Sequence, residues 1–99
     1  MLKYSFDEIK EKLNEMISDA LEPELSLFLN GKEYMIIGYA DRYSFQRCGI
    51  YDGSGEVFYS TLDELYNSVT VDNILLKRDW NNITKFECVD YEWHYNEDF

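Results

Sequence analysis

The sequence predicts an α+β fold: an N-terminal helix packed on a four- to five-stranded antiparallel sheet, with one or two short helices before the last strand. Three observations lead to this fold class. The chain opens with an apolar stripe at helical spacing, continues with strand-like alternation around an Asn-Gly pair, and carries a second helix-capping pattern at residue 61. Its 99 residues contain no Pro- or Gly-rich linker, so we expect a single domain over residues 1–99.

The first helix is predicted over residues 6–20. Ser5-Phe6-Asp7-Glu8 has the pattern of a capping box, in which the Ser5 hydroxyl and the Glu8 carboxylate accept from each other's backbone N–H groups. Apolar residues recur every three or four positions and form one stripe: Phe6, Ile9, Leu13, Met16, Ile17 and Ala20. Pro23 marks a position by which the helix must have ended.

Residues 24–40 are predicted to form a β-hairpin. Asn30-Gly31 favours a two-residue turn, because a type I′ turn needs positive φ at both positions. This turn would place on one face the residues Leu25, Leu27, Leu29, Tyr34 and Ile36. We expect the first helix to pack on that face. The opposite face carries Phe28, Met35, Ile37 and Tyr39, which form a candidate homodimer or partner surface.

The remaining elements follow from turn and capping chemistry. Strands are expected at 44–51, 56–60 and 84–93, with a turn at 52–55. A short helix should begin after Thr61 and run to about Ser68. Residues 76–82 are predicted to form a further helical turn, with Leu76 and Trp80 on one face.

Three short patterns stand in a fixed order between residues 25 and 85. They are the hairpin motif Asn30-Gly31-Lys32-Glu33-Tyr34, the run Leu62-Asp63-Glu64-Leu65, and Asp72-Asn73 followed by Leu76 and Trp80. This order resembles small uncharacterised proteins of low-GC Gram-positive bacteria, which carry a late Asp-Gly-x-x-Leu-x-x-x-Trp pattern. Asn73 replaces the glycine and tolerates the same left-handed conformation. Leu75 replaces a capping Ser. The resemblance implies the fold and no activity.

The charge is strongly acidic and unevenly distributed. The net charge is -11, of which -3 belongs to residues 1–50 and -8 to residues 51–99. A field of this sign repels phosphate backbones, so we expect no direct nucleic-acid binding. No apolar run is long enough to span a membrane, and no signal peptide is visible. The sequence therefore predicts a cytoplasmic protein with reduced cysteines.

Enzyme signatures are weak in this chain. Cys48 or Cys88 with the single histidine, His94, is the one candidate nucleophile pair, but both cysteines lie in apolar strand patterns typical of buried thiols. One histidine and two distant cysteines do not make a zinc site, and the Gly53–Gly55 stretch precedes a strand instead of the helix that a phosphate loop needs. We expect no cofactor, no metal and no catalytic residue.

The C-terminal run alternates aromatic and acidic side chains. Its candidate interaction residues are Asp90, Tyr91, Glu92, Trp93, Tyr95, Glu97 and Asp98. Such a surface combines hot-spot aromatics with carboxylates that attract a basic partner. The alternative is an ordinary edge strand with its aromatics inside and its acids in water.

Three function hypotheses remain open from the sequence. The leading one is a non-enzymatic protein–protein binding or adaptor module. The second is an acidic inhibitor or DNA mimic that acts on a nucleic-acid-handling protein, as an immunity protein or phage-type antagonist does. The third is a small enzyme, which would need a concave pocket with convergent polar groups.

Overall fold

The computed structural model describes residues 4–49 and 55–88 and has the predicted α+β architecture. Its elements are α1 (Phe6–Ser18), β1 (Glu24–Leu29), β2 (Lys32–Gly38), β3 (Tyr43–Arg47), β4 (Val57–Tyr59), α2 (Leu62–Tyr66), α3 (Leu76–Asp79) and β5 (Lys85–Cys88). Short 3-10 turns lie on either side of α3, at Val71–Asn73 and Trp80–Asn82. The five strands pair antiparallel in the order β4-β3-β2-β1-β5.

The β1–β2 hairpin has the predicted register. Asn30 and Gly31 both have positive φ, 55° and 77°, as a type I′ turn requires. Leu29 therefore lies opposite Lys32, Leu27 opposite Tyr34 and Leu25 opposite Ile36. β3 continues the sheet beyond β2, and β5 pairs with the free side of β1.

The core lies on one side of the sheet, which we call the covered face. Its strand side chains are buried together with the apolar residues of all three helices. From the sheet these are Leu25, Leu27, Leu29, Tyr34, Ile36, Tyr43, Phe45, Tyr59 and Phe86; from the helices they are Phe6, Ile9, Leu13, Met16, Leu62, Leu65 and Leu76. The described helices thus bury their apolar sides against the same face. In this part of the chain, the opposite face carries no helix.

Gly38 lets the end of α1 approach the sheet closely. A Cβ atom at this position would lie 2.9 Å from Ile17 Cδ1, 3.0 Å from Pro23 Cγ and 3.3 Å from Tyr43 Cε1. These separations are shorter than ordinary van der Waals contact, so a side chain at Gly38 would require the Ile17 side chain and the Pro23 ring to shift. The absence of a side chain at Gly38 therefore lets Ile17 and Pro23 pack directly against the strand.

The helix α1 ends two residues earlier than predicted. Its last helical residue is Ser18, and a Schellman motif follows, in which Leu21 N–H donates to Met16 O and Ala20 N–H donates to Ile17 O. Ala20 has a φ of 63°, a conformation in which glycine is the usual residue. The sequence carries no glycine at this point, so the usual signal for the helix end is missing.

The other predicted bounds also shift by a few residues. The third strand ends at Arg47 instead of residue 51, because the chain turns at Gly49 with a φ of 93°. The helix after Thr61 ends at Tyr66 instead of Ser68. Residues 52–54 of the predicted turn and residues 89–93 of the predicted last strand lie outside the described residues.

Replacement of Ala20 by glycine should stabilise the fold. The left-handed conformation costs an L-residue roughly 1–2 kcal/mol, whereas glycine adds unfolded-state entropy that costs about 0.4–1 kcal/mol. We expect a net gain of roughly 0.5–1 kcal/mol for Ala20→Gly, measured as a higher urea midpoint at unchanged m-value.

The matched control is Ala40→Gly. Ala40 is also exposed, but its φ is not positive. Glycine at this position relieves no left-handed strain and only adds entropy to the unfolded state, so this variant should lose stability. A loss of stability in Ala20→Gly as well would contradict the assignment of strain to Ala20.

Candidate functional site

The face of the sheet away from the helices, which we call the open face, carries a diagonal stripe of apolar side chains. The pairing places Phe58 of β4 beside Ser44 of β3, and Ser44 beside Ile37 of β2. Met35 lies two residues before Ile37 on β2. Phe28 of β1 pairs with Glu33, which lies two residues before Met35. The stripe thus runs across the sheet from β4 to β1.

The structure brings together the four residues that the hairpin pattern assigned to this surface. Phe28, Met35 and Ile37 alternate along β1 and β2 on the open face, and Tyr39 follows immediately after β2. All four side chains are half-buried. Ser26 and Ser44, the small residues between them, are buried. The stripe is therefore a partly exposed apolar surface with two buried serines between its members.

Two cations lie over the aromatic rings of the open face. The Arg42 guanidinium carbon is 4.6 Å from the centre of the Phe58 ring and 5.4 Å from that of Tyr39. The Lys85 ammonium is 4.5 Å from the centre of the Phe28 ring. A cation at these distances is attracted to the ring face. These contacts thus favour the observed positions of the three rings.

Phe58 and Arg42 were missed by the sequence analysis. Phe58 is 46% exposed, and its ring centre lies 6.3 Å from that of Tyr39. The strand alternation in Val57-Phe58-Tyr59 could have placed Phe58 on the open face. Tyr59 is buried on the covered face, so the side chain before it must point to the opposite face. Arg42 belongs to the β2–β3 turn, where no strand alternation indicates the face to which a side chain points.

Glutamates border the apolar stripe. Glu24 and Glu33 lie on the open face of β1 and β2, and Glu87 lies on that of β5. Burial raises the pKa of the Tyr39 phenol, and the negative charge of nearby Glu56 raises it further. The Lys85 ammonium lies 3.1 Å from a Glu87 carboxylate oxygen, so one of the two cations is itself paired with the acidic border.

A half-open cleft of about 340 Å³ lies beside α1, away from the middle of the open face. It is bounded by α1, by the β2–β3 turn at 39–42 and by the segment 60–63 that leads into α2. Lys10 of α1 bridges the cleft with an ion pair to both oxygens of Asp63, at 3.1 and 2.9 Å. The cleft is thus a polar depression next to the helix.

A polar contact ties the loop 67–75 to the sheet. The buried Tyr34 hydroxyl donates to Asp72 Oδ2 at 2.7 Å, and Arg47 Nη1 lies 3.6 Å from the same oxygen. Asp72 and Asn73 both have positive φ, 55° and 61°, so Asn73 adopts the left-handed conformation that asparagine tolerates. The hydrogen bond from Tyr34 is the main cause that lowers the pKa of Asp72, while burial raises the pKa of Tyr34 to about 12.

The predicted C-terminal surface lies outside the described residues. This applies to Asp90, Tyr91, Glu92, Trp93, Tyr95, Glu97 and Asp98, and also to His94. Cys48 is half-buried and free, and burial raises the pKa of its thiol with a further contribution from Glu33. A raised pKa lowers the thiolate fraction, which is the nucleophilic form.

Two other kinds of site are absent from residues 4–49 and 55–88. These residues include no group of three or more His, Cys, Asp or Glu side chains placed to hold a metal ion. No helix among them is long and apolar enough to cross a bilayer. Comparison with protein-family models, curated proteins and solved structures gave no match.

The Tyr34–Asp72 contact predicts a defined pH dependence. Because the pKa of Asp72 is lowered in the folded state, its stabilisation is present above the ordinary aspartate pKa of about 3.9 and is lost as the pH falls through the lowered value. Tyr34→Phe removes the hydrogen bond and should cost about 1 kcal/mol at pH 7. The difference from the wild type should shrink below about pH 4, measured by urea unfolding across pH.

Asp72→Asn is the matched control for this prediction. Asparagine also tolerates positive φ, and its side-chain oxygen still accepts from Tyr34, but it does not titrate. Its stability should therefore fall less steeply than that of the wild type on acidification. A Tyr34→Phe deficit of the same size at pH 3 and pH 7 would contradict the assignment.

Proposed function

We propose that this protein is a non-enzymatic binding module that docks a basic protein partner on its open face. The observation that carries the proposal is the apolar stripe from Phe58 to Phe28, bordered by glutamates. Protein interfaces commonly combine an apolar, aromatic centre with a polar rim. The half-burial of Phe28, Met35, Ile37 and Tyr39 supports a surface that is already ordered, which lowers the entropy cost of docking.

Charge supports a basic partner over a second copy of the chain. With a net charge of -11, two copies repel each other at long range, and their glutamate borders would face each other across a symmetric interface. A partner with Lys or Arg around an apolar ridge would instead be steered toward this face. We therefore propose a hetero-complex, with the homodimer as the competing outcome.

The raised pKa of Cys48 counts against this thiol as a catalytic nucleophile. A nucleophilic cysteine needs a thiolate-stabilising environment, whereas burial and Glu33 act in the opposite direction here. The free thiol of Cys48 also suits a reducing compartment, so a cytoplasmic location forms part of the proposal.

Met35→Lys should abolish docking. The substitution places a positive charge in the middle of the apolar stripe, where it removes apolar contact area and repels a basic partner. With tagged protein and lysate of the source organism, we expect cationic proteins to be captured by the wild type and reduced at least about tenfold by this variant. Quantitative mass spectrometry measures the ratio.

Val69→Lys is the control, since Val69 is 65% exposed and belongs to the loop 67–75. It makes the same change of charge and should leave capture unchanged. Equal capture by the wild type and Met35→Lys, with both folded by circular dichroism, would overturn the proposal. A concentration-dependent dimer that Met35→Lys abolishes would assign the face to a second copy instead.

A second candidate function, an acidic inhibitor or DNA mimic of a nucleic-acid-handling protein, is favoured by the outer side of α1. Asp7, Glu11 and Glu15 are all exposed and follow each other at four-residue intervals, with a rise of about 6 Å per step. Like charges at this spacing destabilise a helix by a few tenths of a kcal/mol per pair. Despite this destabilisation, α1 carries a row of carboxylates, which resembles the row of phosphates along a nucleic-acid strand.

Glu11→Lys separates the two candidates. The lysine would pair with both Asp7 and Glu15, so the free energy of unfolding should rise by a few tenths of a kcal/mol. If α1 is the mimic surface, the captured complex should weaken in this variant, fall steeply with salt and be displaced by duplex DNA. Binding that persists in Glu11→Lys, at high salt and in the presence of duplex DNA, but is lost in Met35→Lys, assigns the function to the open face.

A further inference from the structure

We propose that the cleft between α1, the β2–β3 turn and the start of α2 binds a small zwitterion of the α-amino acid class. This site adjoins the open face, with which it shares Tyr39 and Arg42, and lies away from Met35 at the centre of that face. Its volume of about 340 Å³ is at the lower end of the range for ligand pockets, which fits a small molecule.

The charges that line the cleft are balanced. Two cations, Lys10 and Arg42, line it together with two carboxylates, Asp41 and Asp63. The chain as a whole carries -11, so a simple anion is repelled by the distant charges even where a local cation attracts it. A zwitterion has no net charge to repel, and it gains from contacts of both signs.

Arg42 and Asp41 are the available charges of this set. Lys10 is already paired with Asp63, whereas neither Arg42 nor Asp41 forms an ion pair within the described residues. The guanidinium of Arg42 is held over the Phe58 and Tyr39 rings, so less of its rotamer freedom is lost on binding. Guanidinium binds carboxylate in a bidentate geometry. We assign the ligand carboxylate to Arg42 and its ammonium to Asp41.

The side of the cleft next to α1 offers one further donor. The Tyr43 hydroxyl donates to Asn14 Oδ1, which leaves the Nδ2 group of Asn14 as a donor with no partner among the described residues. Ile17 and Leu62 contribute apolar surface to the same cleft. An amino acid with a short aliphatic side chain matches this combination of donors, charges and apolar surface.

The test is an NMR titration of the intact ¹⁵N-labelled protein with leucine and two analogues. Isocaproate lacks the ammonium group of leucine, and isoamylamine lacks its carboxylate. We expect saturable leucine shifts at Asn14, Tyr43 and Asp63 with a Kd on the order of 1 mM, and binding at least about tenfold weaker for each analogue. Absence of saturable shifts, shifts that map elsewhere, or equal binding of either analogue would overturn the proposal.

Variants test the assigned groups separately. Arg42→Gln and Asp41→Asn should each weaken leucine binding about tenfold or more, while Lys77→Gln and Asp19→Asn, which change exposed charges outside the cleft, should leave it unchanged. Thermal unfolding checks that each variant is folded. Leucine binding that is unaffected by both cleft variants would overturn the assignment. Because Met35 does not line the cleft, Met35→Lys leaves this test independent of the docking test.

Discussion

The Asn30-Gly31 turn is the constraint on which the rest of this molecule depends. Positive φ at both residues gives the type I′ geometry, and this two-residue turn sets the pairing of β1 with β2. A slip by one residue would move every side chain of a strand to the other face. The register therefore decides at once which face receives α1 and which face is left to carry the stripe around Met35. Stability and the candidate binding surface have a common origin in two residues.

Aromatic packing joins the segments that the hairpin does not reach. The Trp80 ring lies 5.5 Å from Phe6 and 5.4 Å from Phe86, and its indole N–H donates to the backbone oxygen of Tyr4 at 3.1 Å. The chain before α1, the end of α3 and strand β5 thus meet at one side chain. The loop 67–75 is held separately, by the Tyr59 hydroxyl to Thr70 at 2.8 Å and by Arg78 to the backbone oxygen of Asn73 at 3.0 Å.

The sequence predicted those elements whose signals are local. Ser5 and Thr61 accept from the N–H groups of Glu8 and Glu64, as their patterns indicated, and the Asn-Gly pair gave the right hairpin register. The end of α1 was placed too late because Ala20 adopts a conformation that its side chain does not favour. The start of α3 lacks a capping hydroxyl at Leu75, and the Asp79 carboxylate accepts from the Leu75 N–H instead.

The two candidate sites also differ in whether a local sequence pattern marks them. Strand alternation in the hairpin placed Phe28, Met35, Ile37 and Tyr39 together, because a period of two is a property of adjacent residues. The cleft combines residues from α1, a turn and the start of α2, which lie far apart in the chain and meet only through tertiary packing. No local pattern marks such a meeting point, so the balance of charge between Lys10, Arg42, Asp41 and Asp63 became visible only in three dimensions.

The pairing of β5 with β1 has a consequence for the order of events during folding. Strands β1 to β4 pair with their neighbours in the chain, so each step closes only a short loop. Phe86 must instead find Leu27 about 60 residues earlier, at a larger loop-closure entropy. Contacts of such long range slow folding, so the meander should assemble first and the final strand should dock late. Until it docks, the outer edge of β1 is unpaired, and the nascent protein is then most exposed to association with other chains.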